Sequence, residues 1–155
     1  MSEVDWPARM QRLGSGRLIA RLPAGAELWL DGGHNVAGAM AITASLAELE
    51  EQVPRPLVLV AGMLANKDAD GFLACFADLA RHVFAVPVPA ESASKPEDIA
   101  AAARRADLIA EPVASVEAAL DQVGALKLEA PPRVLITGSL YLAGAVLALN
   151  GTPPA

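Results

Sequence analysis

The sequence predicts a three-layer α/β domain, with a mostly parallel sheet of about six strands and helices on both faces. Three observations carry that expectation. Apolar runs about one strand long, such as Leu57-Val58-Leu59-Val60-Ala61, recur along the chain. Between them lie segments whose apolar residues repeat at the helical period of about 3.6 residues. The connections are short, which suits strands and helices alternating around a parallel sheet.

The first 25 residues or so stand outside the alternation. Met10-Gln11-Arg12-Leu13, the turn Gly14-Ser15-Gly16 and Arg17-Leu18-Ile19-Ala20 read as a hairpin or lead-in strand, antiparallel to the rest. Glu27-Leu28-Trp29-Leu30 is the first regular strand and runs into Asp31. A helix follows with the stripe Val36, Ala39, Met40, Thr43, Leu46, Leu49 and Val53. Leu57 to Ala61, after Pro54 and Pro56, is a central strand covered on both faces. Phe72, Leu73, Phe76, Leu79 and Ala80 mark the second helix, and His82-Val83-Phe84-Ala85-Val86 the next strand. Ser94-Lys95-Pro96-Glu97 has the form of a capping box opening an alanine-rich helix to Arg105. Leu108-Ile109-Ala110 is a short strand, and Ser115 caps a helix striped by Val116, Ala119, Leu120 and Val123. Arg133-Val134-Leu135-Ile136-Thr137 is the last strand. A helix from Leu140 to Leu149 closes on Asn150-Gly151.

At 155 residues the chain fits one domain with a core that needs no disulfide or metal. Its apolar stretches are far shorter than the roughly 20 residues of a membrane span, and Met1-Ser2-Glu3-Val4-Asp5 lacks the apolar core of a signal peptide. A cytoplasmic protein without a membrane partner is expected. The lone cysteine, Cys75, sits in an apolar helical pattern and reads as buried and inert. A net charge of −6, no basic cluster beyond Arg104-Arg105 and six aromatics offer nothing to neutralise a phosphate backbone or stack bases. Nucleic acid is therefore not an expected partner.

Three turns lie at the ends of apolar runs, where parallel α/β sheets bind ligands. In Asp31-Gly32-Gly33-His34-Asn35, glycines let backbone amides approach a ligand, Asp31 can accept from ribose hydroxyls and His34 can donate to a phosphate or base. The same residues also suit a plain βα turn, with Asp31 or Asn35 as the helix cap and His34 in solvent. Gly62-Met63-Leu64-Ala65-Asn66-Lys67-Asp68 offers Lys67 to an anion, although Asp68 or Asn66 as a cap explains the pattern as well. In Thr137-Gly138-Ser139-Leu140-Tyr141, Ser139 is either a carboxylate ligand or a helix N-cap. It lacks a nucleophile-elbow setting, and only His34 and His82 are available as an imidazole base. Arg9, after Trp6-Pro7-Ala8, is a phosphate contact or a surface charge. His34, His82 and Cys75 have no metal-ligand spacing, and no phosphate-gripping G-x-x-x-x-G-K-[ST] loop occurs.

Taken together and in order, Trp6-Pro7-Ala8-Arg9-Met10-Gln11, Leu30-Asp31-Gly32-Gly33-His34-Asn35, Gly62-Met63-Leu64-Ala65-Asn66-Lys67-Asp68 and Thr137-Gly138-Ser139-Leu140-Tyr141-Leu142-Ala143-Gly144 resemble the C-terminal domain of bifunctional folylpolyglutamate synthase/dihydrofolate synthase, of the Mur ligase superfamily. Ala8 and Gly33 stand where that family usually has glycine and alanine.

The resemblance implies a Rossmann-like lobe over the whole of residues 1–155. It would belong to an enzyme in which ATP phosphorylates a carboxylate of dihydropteroate or a folate and L-glutamate attacks the acyl phosphate. It places Arg9 on the ATP phosphates, with Asp31, His34 and Asn35 on the nucleotide, and gives Lys67 and Ser139 to glutamate. Magnesium ligands and the nucleotide-gripping loop would belong to an N-terminal ATPase domain that this sequence lacks, so the chain by itself is expected to be inert. The alternative is a standalone Rossmann-like module that binds nucleotide or regulates without catalysis.

Overall fold

The computed structural model describes residues 9–151. The Trp6-Pro7-Ala8 part of the first motif lies outside them. The strands are β1 (Gln11–Arg12), β2 (Glu27–Asp31), β3 (Leu57–Ala61), β4 (Ala80–Ala85), β5 (Ala110–Pro112) and β6 (Arg133–Thr137). The helices are α1 (Val36–Gln52), α2 (Ala69–Ala74), α3 (Pro96–Arg105), α4 (Val116–Val123) and α5 (Leu140–Asn150). One sheet forms in the order β1-β2-β6-β3-β4-β5, parallel throughout except for β1, which runs antiparallel to β2. The α/β expectation is met, including its antiparallel edge element.

Period-two alternation divides each strand between two cores. Leu28, Leu30, Val58, Val60, Phe84, Val134 and Ile136 pack on one face with α4 and α5. Leu57, Leu59, Ala61, Val83, Ala85 and Leu135 pack on the other with α1, α2 and α3. Because β6 lies between β2 and β3, the helices leaving β2 and β6 start on opposite faces of the sheet. Such a switch opens a crevice at the carboxyl ends of the strands.

Several local expectations are corrected. Arg17 to Ala20 is no strand: Gly16 takes a φ of +109°, the Arg17 and Leu18 amides bond to Asn150, and Ile19–Arg21 is a 3-10 turn. Helix α1 buries Ala39, Ile42 and Leu46, while Val36, Met40 and Val53 are exposed. In an alanine-rich helix several 3-4 spacings exist, and the sheet selects the one through Ile42. The capping box at Ser94 does not form, since Lys95 is the N-cap without a side-chain bond and the Ser94 amide donates to the Met63 carbonyl. Strand β5 begins at Ala110, so Leu108 and Ile109 precede it, after a turn at Asp107 with φ of +65°. Cys75 is half-buried rather than buried.

Candidate functional site at the carboxyl ends of β2, β6 and β3

The three turns singled out in the sequence meet here. Asp31 pairs in register with Thr137, and Thr137 with Ala61, so the strands end side by side. Backbone bonds then lace the turns together. The Gly138 amide donates to the Gly33 carbonyl at 3.0 Å and the Gly62 amide to the Thr137 carbonyl at 3.2 Å. The Thr137 hydroxyl also lies 3.4 Å from the Gly33 carbonyl. Gly138 has φ of +115°, and a Cβ there would fall on the Gly62 carbonyl oxygen. Only glycine allows the strand ends to approach so closely.

Each helix at this edge starts with a capped turn. Asn35 accepts from the Gly38 amide at 2.8 Å, which settles the choice between Asp31 and Asn35 as the cap of α1. Asp68, not Asn66, caps α2 through the Gly71 amide at 2.9 Å. Ser139 caps α5, accepting from the Tyr141 and Leu142 amides at 3.0 and 3.3 Å, and is 2% exposed. Its hydroxyl hydrogen is still available to donate.

Asp31 has a different task. Its Oδ1 accepts from the Gly33 amide at 2.7 Å and its Oδ2 from the Met10 amide at 2.9 Å. The glycine amide expected to face a ligand is thus held by the protein itself. Burial raises the Asp31 pKa above the ordinary carboxylate value. The Gly33 and Met10 amides and the charge of Arg9 counter that rise without cancelling it. Met10 is in the left-handed region at φ of +41°, costly for a residue with a side chain.

His34 is half-buried. Its Nδ1 is fully enclosed and has no hydrogen-bond partner in the structure. A buried ring nitrogen without a partner is unfavourable and suits a position that a ligand completes. Arg9 is exposed, with its charge acting on Asp31, and Lys67 is half-buried in the turn after β3. That turn is tied to the loop after β4 by a Leu64–Ala93 bridge and by an Ala65 amide donating to the Ser92 carbonyl. The exposed apolar residues Val36, Met40, Leu140 and Tyr141 lie in the first turns of α1 and α5. Sequence reasoning set Val36 and Met40 in the core stripe and gave Leu140 and Tyr141 no role of their own; their signal was large apolar side chains at helix starts, where the fold needs none.

No group of three histidine, cysteine or carboxylate side chains among the described residues can hold a metal ion. A groove of about 620 Å³ lies at the opposite end of the sheet, lined by Leu46, Leu57, Leu79, Arg55, Arg81 and Glu129 among others. Its arginines are already engaged, Arg81 with Glu129, Arg55 with two carbonyls and Glu27, and Arg133 with Glu27 and Glu50.

A family model described as Mur ligase, glutamate ligase domain, matches residues 8–140. The chain is 33% identical over 145 residues to folylpolyglutamate synthase of Lacticaseibacillus casei, covering 91% of this chain and 29% of that enzyme. It therefore spans less than a third of that relative. Mycobacterium tuberculosis folylpolyglutamate synthase, complexed with ADP and AMPPCP, is similar at a TM-score of 0.76 and 26% identity, over 96% of this chain and 33% of that one. The ligand-free bifunctional folylpolyglutamate synthase/dihydrofolate synthase of Yersinia pestis has a TM-score of 0.71 at 24% identity, over 95% of this chain and 32% of that one, a likeness of fold. With the glycine-laced turns at its strand ends and the family match over most of its length, this chain belongs to the Mur ligase family and forms a glutamate ligase domain.

Proposed function

We propose that the chain is the C-terminal lobe of an ATP-dependent amide ligase that adds L-glutamate to dihydropteroate or a folate, and that an N-terminal ATPase domain completes the enzyme. The observation that carries this reading is the junction of three turns at one sheet edge. There His34 holds an unpartnered buried Nδ1, and Arg9 and Lys67 stand on the turns nearby. The synthases of L. casei and M. tuberculosis support it, the latter having been crystallised with adenine nucleotides. The exposed apolar residues at the starts of α1 and α5 suit a surface that a second domain covers. No helix among the described residues is long and apolar enough to cross a membrane, and a cytoplasmic setting fits the reading.

In the proposed reaction the acceptor carboxylate attacks the γ-phosphorus of ATP, forming an acyl–O–P bond and releasing ADP. The glutamate amine then attacks the acyl carbon, a C–N bond replaces the C–O bond to phosphate, and phosphate and a proton leave. This lobe's residues bind and orient. Arg9 opposes phosphate charge, and Asp31, His34 and Asn35 line the nucleotide side. Lys67 and the Ser139 hydroxyl face the glutamate carboxylates. None of them needs to act as nucleophile or base. Holding the amine against an acyl phosphate while water is excluded supplies the acceleration. The roles proposed for these residues require no metal ion, and the magnesium ligands are assigned to the ATPase domain.

Separate Michaelis constants test the division of roles. In the whole enzyme Arg9→Met is expected to raise the KM for ATP about tenfold or more and leave that for L-glutamate within about twofold. Lys67→Met is expected to do the reverse. Equal effects of both variants on both constants would remove the assignment.

A further inference from the structure

The amino ends of the strands carry a second concave surface, away from the three turns. The groove there measures about 620 Å³, with Leu46, Pro54, Pro56, Leu57 and Leu79 as its apolar lining, where α1 leads into β3 and the turns after α2 lead into β4. That volume falls within the roughly 300–1,000 Å³ of surface hollows that hold ligands. Leu79 in the groove and Val53, next to Pro54 in the chain, stay 45% and 49% exposed. Large apolar side chains left in water around a hollow mark a surface that another molecule covers.

The charges at its edge are unbalanced. Each arginine that lines the groove is matched by a carboxylate: Arg55 by Glu27, Arg81 by Glu129, and Arg133 by Glu27 and Glu50. The lining carboxylates Glu51 and Asp78 are exposed and pair with none of the described residues. Glu51 also sits in the last turn of α1, which contains no basic residue. A helix carries negative partial charge at that end, so a carboxylate there adds to an unfavourable field unless a cation answers it.

We propose that this groove docks a segment of a partner protein that brings apolar side chains to the lining and lysine or arginine to Glu51 and Asp78. The apolar surface continues beyond the hollow at Val53, which favours an extended segment over a small ligand. A second copy of this chain is a poor occupant, because it would bring a further net charge of −6 to an acidic edge. The docking role is independent of the nucleotide and glutamate roles, since its residues lie at the other end of the sheet and leave the three turns free.

The test is a selection from a phage-displayed library of random short peptides on the 155-residue chain, with counter-selection on Ala47→Trp. Ala47 is an exposed groove residue of α1, so the indole fills the hollow without entering the core. Peptides that pass both steps are expected to combine lysine or arginine with large apolar residues. Their Kd is expected to rise about fivefold or more in the double variant Glu51→Gln/Asp78→Asn, which keeps the shapes and removes both free charges. Added salt is expected to weaken binding to the wild type more than to that variant. Both variants alter exposed positions only, and thermal unfolding close to wild type is expected of each. A selection that yields no such peptide would overturn the proposal. So would selected peptides without basic residues, or an affinity that the double variant leaves unchanged. Sedimentation of the chain alone is expected to show a monomer; a dimer that Ala47→Trp disrupts would make a second copy the occupant and overturn the partner assignment.

Discussion

Replacing Glu27 by alanine is expected to destabilise the protein by about 3–5 kcal/mol, the usual cost of breaking a buried ion pair by removing one partner. Glu27 and Arg133 open the neighbouring strands β2 and β6 and are 8% and 3% exposed. Glu27 Oε1 accepts from Arg133 Nε and from the Trp29 indole, both at 3.0 Å, and Oε2 lies 3.2 Å from Arg55 Nε. Arg133 continues to Glu50 at 3.2 Å and to the Val53 carbonyl at 3.1 Å, which ties the end of α1 to the sheet. Without Glu27 the Arg133 guanidinium keeps only part of its partners in a buried site. Denaturant unfolding at neutral pH measures the loss, and a drop in Tm of roughly 10 °C is expected for a chain of this size.

The same pair gives a pH dependence of definite sign. Burial pushes the Glu27 pKa up, but bonds from Trp29 and Arg133 and the charges of Arg133 and Arg12 outweigh it, so the folded value lies below 4.5. Its contribution is therefore complete above the unfolded value and lost as pH falls through the lowered folded one. The gap between wild type and Glu27→Ala should shrink in acid. A gap as large at about pH 3 as at neutrality would show that Glu27 acts by packing, not by charge. Asp31 works in the opposite sense. Its folded pKa is raised, so the stability tied to its proton is present at low pH and lost as pH rises through that raised value.

Gly138→Ala should harm stability and function together. The residue has φ of +115°, and the new methyl group would meet the Gly62 carbonyl oxygen as well as Met63 Cγ at 3.0 Å. Backbone cannot yield as a side-chain tip can, so β3 and β6 must part at their carboxyl ends. That opening breaks the bond from Gly62 to Thr137, and the shift of Gly138 strains its bond to Gly33. A loss of about 3 kcal/mol or more is expected from the strain and overpacking combined. The KM for ATP should rise with it, since the turn bearing His34 hangs on the same bonds. Gly144→Ala is the control: it lies inside α5 with nothing within 4 Å of its Cβ position. Alanine there should stabilise the helix by about 0.5–1 kcal/mol.

The strands were legible because their residues satisfy both faces at once. Leu57 to Ala61 is apolar at every position and buried at every position. Helix α4 was legible for a related reason, since Val116, Ala119, Leu120 and Val123 stand out against polar neighbours and all are buried. Helix α1 was not read in the right phase. Alanine-rich turns give little contrast, and only the sheet distinguishes Ile42 at 1% exposure from Met40 at 61%. The stretch around Ile19 has strand-like composition, but its amides are claimed by Asn150, more than 130 residues away.

The site divides in the same way. Chain order alone puts Asp31, Gly62 and Gly138 at strand ends, and caps such as Asn35, Asp68 and Ser139 follow from local preference. The link from Asp31 to Met10 spans 21 residues and depends on a left-handed methionine that no pattern announces. The Glu27–Arg133 pair spans 106 residues and exists only because β6 inserts beside β2.

The central claim is that this chain is one lobe of a glutamate ligase. The most direct measurement joins it to the proposed ATPase domain and follows labelled L-glutamate, with a folate or dihydropteroate as acceptor and ATP. The predicted result is an amide-linked glutamate product with one ADP and one phosphate released per bond, and no product from the 155-residue chain alone. Amide formation without ATP, or ATP hydrolysis that never yields the amide, would contradict it.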